Sequence, residues 1–392
     1  VTHPQIGDAE VRTERMATGG EAVARLDDGR VVFVQGALPD ETVRIELTQQ
    51  KKRFARGAAV EIVDASPHRV DPGCSHIVSG DCGGCDWMHI AHESQIEYKH
   101  GIVVEQLERL GGVDASVVMS TNQVRGRRTT VRCVVVDGRA GYHRRRSDRS
   151  FAAESCEAAH PLLEELLVSG RFGNATEVTL RVGAATGEQL VLTNGDPTAV
   201  KVAAAVTVAA LDAPGDAGIH EIVAGQMWRI SARSFFQTSL EGAEALVGAV
   251  ERALQGAAGP VVDLYAGVGL LGGAAAADRL TMAVESNASS IADARHNLQS
   301  SVAVEQARVE RWSPLPFGAV IADPARRGLG QDGVAVIDAT GASVLALVSC
   351  DPAALGRDTA LLHERGWRYE RGEVIDMFPD TSRIEVVSTF RR

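Results

Sequence analysis

The chain has 392 residues, more than one ordinary domain holds, and a composition of 45% apolar and 23% charged residues, so two or three folded domains are expected. Its net charge of −11 excludes binding of nucleic acid by bulk charge, yet residues 1–150 carry 21 Lys and Arg against 21 Asp and Glu, which leaves the whole acidic excess to the remainder. No apolar run reaches the about 18 residues of a membrane span, and the opening Val1-Thr2-His3-Pro4-Gln5 lacks the basic and apolar parts of a secretion signal. A cytoplasmic monomer is expected, and clustered cysteines in it read first as metal ligands.

Residues 10–64 alternate apolar and polar positions in short runs broken by turns, among them Asp27-Asp28-Gly29 between Glu21–Leu26 and Val31–Val34. That is the signature of hairpins closing into a small β-barrel. With Gly36-Ala-Leu-Pro-Asp-Glu-Thr-Val43 the stretch resembles the TRAM domain, an OB-like barrel that binds RNA in several RNA-modifying enzymes. Basic groups recur nearby and beyond: Lys51-Lys52-Arg53, Arg125 with Arg127, Arg128 and Arg132, then Arg144-Arg145-Arg146. Placed on one surface, they would contact phosphates.

Cys74, Cys82 and Cys85 fall within one short stretch that also holds Gly83-Gly84, where a backbone without Cβ atoms can wrap closely around a metal centre. Cys156 is the expected fourth ligand, because Cys133 sits in the β-branched run Thr130–Val136 and reads as core. Four thiolates suit a closed 4Fe-4S cluster, with structural zinc as the alternative. Trp87–Leu110 has helical spacing and stops at Gly111-Gly112. Residues 178–182 and 189–192 read as strands, and an alanine-rich helix is expected near 199–211.

Ser239 is the expected N-cap of a helix through Leu254, preceded by Ser234-Phe235-Phe236-Gln237, whose aromatic and amide could serve a ligand. Pro260-Val-Val-Asp263-Leu-Tyr265-Ala-Gly267-Val-Gly269 reads as strand, glycine turn and helix, with Glu285 ending a second strand. The glycine spacing alone also fits a dinucleotide site. Asp263 decides otherwise, since a carboxylate there repels a pyrophosphate but attracts the cationic methionine part of S-adenosylmethionine, while Glu285 can accept from ribose hydroxyls. A third strand ends at Asp323-Pro324. A fourth, Val344–Val348, is continuously apolar and must stop before Pro352, which puts Cys350 at a strand's carboxyl end, where open α/β sheets collect ligands. Glu385 stands on a late strand.

In this order, FFQ, DLYAGVG, DPARRG, LVSCDPAALGRD and FPDTSRIE, behind the cysteine cluster and the TRAM-like barrel, closely resemble the uracil-C5 RNA methyltransferases, and in particular the subgroup that modifies 23S rRNA. The resemblance implies an α/β chain of three parts: a TRAM-like barrel (1–64), a central α+β domain with the cysteine cluster (65–232) and a Rossmann-like S-adenosylmethionine domain (233–392). It further implies that Gln237, Tyr265, Glu285 and Asp323 contact the methyl donor, that Cys350 is the nucleophile and Glu385 the base, and that Phe235 lies near the target base of an rRNA, or alternatively a tRNA. The chain departs from the family pattern in the longer Cys74–Cys82 spacing and at Leu270, Arg311-Trp312, Asp351 and Asp380.

Overall fold

The structure is a computed structural model that describes residues 8–114, 117–119, 124, 127–145 and 147–392. Arg125 and Arg146 lie outside the described residues. Strands β1 (Asp8–Met16), β2 (Ala22–Arg25), β3 (Val31–Gln35), β4 (Thr42–Gln50) and β5 (Phe54–Asp64) close into a barrel in the order β1-β2-β3-β5-β4. Alternation decides what fills it: in β4, Val43, Ile45 and Leu47 point inward while Arg44 and Glu46 face water. Gly29, with φ 83°, supplies the left-handed turn between β2 and β3 that the Asp-Gly pair announced.

Next come α1 (Ser75–Val78), α2 (His92–Gln106) with one further π-type turn to Gly111, and β6 (Val117–Met119). Then β7 (Thr130–Val136), β8 (Arg139–His143), β9 (Ser150–Ala152), α3 (Pro161–Ser169), β10 (Glu177–Val182), β11 (Gln189–Thr193) and β12 (Thr207–Ala210) form a helix-backed sheet ordered β12-β11-β10-β7-β8-β9. A hairpin, β13 (Gly218–Val223) with β14 (Gln226–Ser231), follows.

Two sequence expectations need correction here. The helix begins at His92 rather than Trp87, because Trp87 is fully buried in the preceding turn, donates from its indole nitrogen to the Gly20 carbonyl (3.2 Å) and meets Tyr98 edge-on. The alanine-rich stretch 199–211 is not a helix. It ends in β12, which pairs parallel to β11 from Leu190↔Thr207 to Thr193↔Ala210. Its valines at 200, 202, 206 and 208 are β-branched, and the free edge of β11 offered backbone partners that an isolated helix lacks.

The C-terminal part holds α4 (Leu240–Ala253), β15 (Val261–Leu264), α5 (Leu270–Ala275), β16 (Leu280–Glu285), α6 (Ala288–Asn297), β17 (Ala303–Gln306), β18 (Ala319–Ala322), α7 (Gly330–Ala339), β19 (Val344–Ser349), α8 (Pro352–His363), β20 (Arg368–Ile375) and β21 (Glu385–Arg391). Its sheet runs β17-β16-β15-β18-β19-β21-β20-β6, with β21 antiparallel to both neighbours. β6 comes from the 65–232 stretch, yet it pairs with β20 and completes this sheet. Every residue of β15, β18 and β19 is buried, as strands covered on both faces must be. From β15 the sheet order runs one way to β16 and β17 and the other way to β18 and β19. A crevice therefore opens at the carboxyl ends of β15 and β18. Helix α2 closes on α8 because Gly356 has no side chain: a Cβ there would meet the Gln106 carbonyl at 2.6 Å. Among the described residues no helix is long and apolar enough to cross a membrane.

Candidate functional site

Five reactive side chains come to one edge of the C-terminal sheet because the strands deliver them there. Cys350 follows β19 directly, and the strand can go no further: Asp351 caps α8 by accepting from the Ala354 amide (2.7 Å), with Pro352 in the first helical turn. The antiparallel β21 pairs Ser349 with Val386, so continuing the register by one residue sets Glu385 abreast of Cys350. On the other flank Ala322 pairs with Leu347, which brings Asp323 to the same edge. Asp263 in β15 and Glu285 at the end of β16 extend the row.

Crowding carboxyl groups in a dry edge has electrostatic consequences. Asp263 and Asp323 are both raised to about 7, Asp323 by burial and Asp263 by burial first and then by Asp323 and Glu285. Glu385, only 6% exposed, is pushed well above the carboxylate range by burial and by Asp323. The half-buried Cys350 thiol rises to about 11, mostly through burial, then through Glu385 and Asp323, with Arg326 opposing. One oxygen of Asp263 accepts from the Gly272 amide (2.8 Å), and the other has no hydrogen-bond partner although buried. Leaving such an oxygen unmatched costs about 1–3 kcal/mol, and a ligand with a donor or positive charge would recover that energy. Gly272 allows the close approach, since a Cβ there would sit 2.8 Å from the carboxylate.

The glycine turn after β15 carries strain of the kind found at binding sites: Tyr265, not a glycine, adopts φ 61°, followed by Gly267 at 57° and Gly269 at 89°. Glu285 accepts from the amides of Gly267 (3.0 Å), Ser286 (2.6 Å) and Asn287 (2.7 Å), which fixes its carboxylate at the mouth of a cavity of about 330 Å³. Tyr265, Glu310, Arg308 and Arg327 share the wall. Of the sequence-derived set, Tyr265 and Glu285 line this cavity, Gly267 and Gly269 build its turn, Asp263 and Asp323 lie along the sheet edge, and Gln237, half-buried before α4, is not on its wall. Glu310, which accepts from the Tyr265 hydroxyl (3.2 Å), was missed. The stretch 307–310 lines the cavity, whereas Trp312 is buried against Phe317 and donates to Glu305 (3.0 Å).

The loop leading to Glu385 is clamped by the segment that follows the cysteines. Lys99, fully buried, donates to Asp376 (2.6 Å) and to the Phe378 carbonyl (3.0 Å). Gln95 exchanges hydrogen bonds with Asp380, donating to its carboxylate (3.1 Å) and accepting from its amide (2.8 Å), and Asp86 accepts from the Ser382 amide (3.1 Å). Asp380 itself sits at φ 62°, a conformation held by this clamp.

Cys74 and Cys85 are buried against Met88, and Cys82 and Cys156 are half-buried beside them. The Gly84 amide points at the Cys82 sulfur (3.3 Å) and the Tyr142 hydroxyl at the Cys156 sulfur (3.7 Å). Burial raises Cys82 and raises Cys85 to about 12, and the neighbouring thiols push both in the same direction. Among the described residues, however, no three Cys, His, Asp or Glu side chains stand as a ready set of metal ligands. Cys133 is core, packed with Leu163 and Leu180. Lys51, Lys52 and Arg53 are exposed at the β4–β5 turn, Arg144 pairs with Asp81, and Arg145 lines a cavity beside the cysteines. Phe235 is 63% exposed on its loop while Phe236 is buried.

Residues 9–60 match the TRAM domain. An RNA methyltransferase of Streptomyces avermitilis is 34% identical over 97% of both chains, and one of Streptomyces coelicolor is 33% identical over 97% of this chain and 92% of its own. The crystal structure of the tRNA (uracil-54, C5)-methyltransferase of Pyrococcus abyssi with S-adenosyl-L-homocysteine superposes with a TM-score of 0.73 over 97% of this chain and 99% of that one, at 22% identity, and so shares the fold. On the near full-length relatives at a third identity, this chain belongs to the RNA methyltransferases.

Proposed function

We propose that the enzyme methylates carbon 5 of a uridine in RNA through a covalent adduct at Cys350. The observation that carries this reading is the register that sets Cys350 abreast of Glu385 at the crevice of the sheet. An N- or O-methyltransferase needs no thiol there. Carbon 5 of uracil is too weak a nucleophile unless a thiolate first adds to carbon 6, which drives the electron pair of the C5–C6 bond toward carbon 5 and the O4 carbonyl. Cys350 makes that bond; Arg326, the nearby cation that opposes its raised pKa, favours the thiolate. Once the carbon 5 electron pair has formed its bond to the methyl group, Glu385, whose raised pKa makes its ionised form a strong base, takes the carbon 5 proton. The C5–H electron pair re-forms the C5–C6 double bond as the S–C6 bond breaks, returning Cys350. The target base has to leave its stack to reach the site, and exposed Phe235 offers a face for it.

S-adenosylmethionine, when bound, supplies the methyl group. The residues present suit it: Asp263, with its unmatched buried oxygen, and Asp323 would meet the cationic methionine part, Glu285 and Tyr265 would meet the ribose side, Gly267 and Gly269 would allow close backbone approach, and Gln237 would reach it from the loop before α4. The raised carboxyls give a pH signature. Asp263 and Asp323 hold their protons up to about pH 7, and a cationic ligand favours their ionised forms. Binding therefore expels protons below that point, and affinity should strengthen from about pH 5 to about pH 8, by no more than about tenfold per unit for each group. Calorimetry in buffers of different ionisation heat measures this, and Asp263→Asn should weaken binding and flatten the profile. A flat profile in the unaltered enzyme would remove the cation from beside these carboxyls.

The substrate reading favours 23S rRNA, from the resemblance of the motif set, with tRNA as the second choice because the Pyrococcus abyssi neighbour acts on tRNA. Lys51, Lys52 and Arg53 on the barrel, with Arg144 and Arg145, would contact phosphates. Incubation with labelled S-adenosylmethionine and total bacterial RNA, followed by nucleoside analysis of each RNA class, tests the activity. Label in 5-methyluridine is expected; label in another nucleoside would replace the reading.

For Cys74, Cys82, Cys85 and Cys156 we propose a 4Fe-4S cluster, with zinc as the alternative. Four thiols gathered from two segments around Gly83-Gly84 fit a thiolate-only centre by donor type, and closing them onto it requires the side chains to draw together. Protein purified without oxygen should carry iron, sulfide and broad visible absorbance, all lost in Cys82→Ser or Cys85→Ser. One zinc per chain and no iron would establish the alternative.

A further inference from the structure

A cavity of about 830 Å³ lies beside the cysteines between the central sheet and the loop that leads to Glu385, and its walls include Arg128, Arg132, Arg144, Arg145 and Arg383. A second cavity of about 320 Å³, with Arg127 and Phe378 in its wall, shares Arg128 with the first. These arginines are not equivalent. Arg132 is neutralised by Glu177 (2.6 Å) and Arg144 by Asp81. Arg128 spends one donor on the Gly84 carbonyl (3.2 Å), and Arg383 lies over the Phe378 ring, 5.9 Å from its centre. Among the described residues neither Arg128 nor Arg383 has a carboxylate partner within ion-pair distance.

Arg383 is exposed on the cavity wall; partial desolvation and then the like charges of Arg128 and Arg326 lower its pKa, while Asp86 and the Cys350 thiol oppose them. Guanidinium groups that share a cavity wall repel one another, and a bound anion relieves that repulsion. Arg383 also stands two residues before Glu385, so its backbone lies within about 7 Å of the base-bearing position.

We propose that Arg383 and Arg128 form the seat for one backbone phosphate of the RNA strand, next to the nucleotide whose base enters the Cys350 site. Planar guanidinium forks suit the tetrahedral oxygens of a phosphodiester, and a diester is the anion an RNA methyltransferase meets in every substrate. The phosphate holds the strand at the mouth of the site while the base is turned inward, and this anchor lies on the loop that carries Glu385. Membership of the RNA methyltransferases supports the choice of ligand, and the position relative to the target base rests on the Cys350 reading.

The test is binding, which requires no turnover. A fluorescein-labelled RNA hairpin with a seven-uridine loop is titrated with the full chain by anisotropy over a range of KCl. Removing one phosphate contact on single-stranded RNA lowers the log–log salt slope by about 0.7, and that loss is expected for Arg383→Gln and for the double variant with Arg128→Gln. Arg383→Lys keeps the charge and should keep the slope; an equal loss in both would point to a collapsed loop and overturn the proposal. Hairpins with one loop linkage at a time made neutral as methylphosphonate locate the contact. One such linkage should weaken binding to the unaltered protein about tenfold and have no effect on Arg383→Gln. An unchanged slope, with every neutral linkage costing the same in both proteins, would also overturn it. Covalent capture by 5-fluorouridine RNA reports separately on Cys350, so failure of the uridine reading is not confused with failure of the phosphate seat.

Discussion

Cys350→Ala is expected to reduce single-turnover methyl transfer by about four orders of magnitude, close to 5.5 kcal/mol of barrier, while S-adenosylmethionine binds nearly as before. The two effects separate because the sheet separates them. Cys350 directly follows β19, whereas the cavity that holds Tyr265 and Glu285 opens at β15 and β16, with β18 between. Replacing a half-buried thiol by a methyl group removes the nucleophile and leaves that cavity alone. Single-turnover rates on RNA and calorimetry of the donor make the comparison. Loss of donor binding in proportion to loss of rate would assign Cys350 a structural part in the cofactor site.

Glu385→Gln separates two steps that share one site. If Glu385 only removes the carbon 5 proton, the variant still lets Cys350 add and the methyl group arrive, and the reaction stops before elimination. A methylated protein–RNA adduct should then accumulate on ordinary uridine RNA and survive denaturing electrophoresis with label from the donor. Turnover should fall about a thousandfold, near 4 kcal/mol, a plausible loss for a general base. Glutamine preserves the size of a side chain that is only 6% exposed. A slow variant that forms no adduct would place Glu385 earlier, orienting the base before the thiol adds.

Where local chemistry governs, the sequence was readable. A buried parallel strand must be apolar throughout and must stop at a proline, so Val344 to Cys350 could be placed without coordinates. The barrel followed from alternation and its Asp-Gly turn. The alanine-rich stretch failed because composition speaks for intrinsic preference, while the open edge of β11 decided the outcome. Trp87 failed in the same way, since its burial against the barrel overrode a helical spacing that extended too far toward the N-terminus. Most of the site's support was invisible for another reason. Lys99 meets Asp376, and Gln95 meets Asp380, across nearly the whole remaining chain, and no periodicity links residues so far apart. Glu310 and the arginines of the large cavity carry no motif, and only the fold brings them to a reactive edge.

The central claim, a covalent adduct between Cys350 and carbon 6 of uridine, is tested most directly with RNA containing 5-fluorouridine. Fluorine in place of the carbon 5 proton cannot be removed as a proton, so the reaction halts with Cys350 still attached and the methyl group already on carbon 5. Mass spectrometry of the trapped complex after nuclease and protease digestion should find the peptide containing Cys350 bearing a methylated 5-fluorouridine nucleotide, dependent on S-adenosylmethionine and absent in Cys350→Ala. Methylated RNA recovered in full from the same reaction, with no modified Cys350 peptide, would contradict the account.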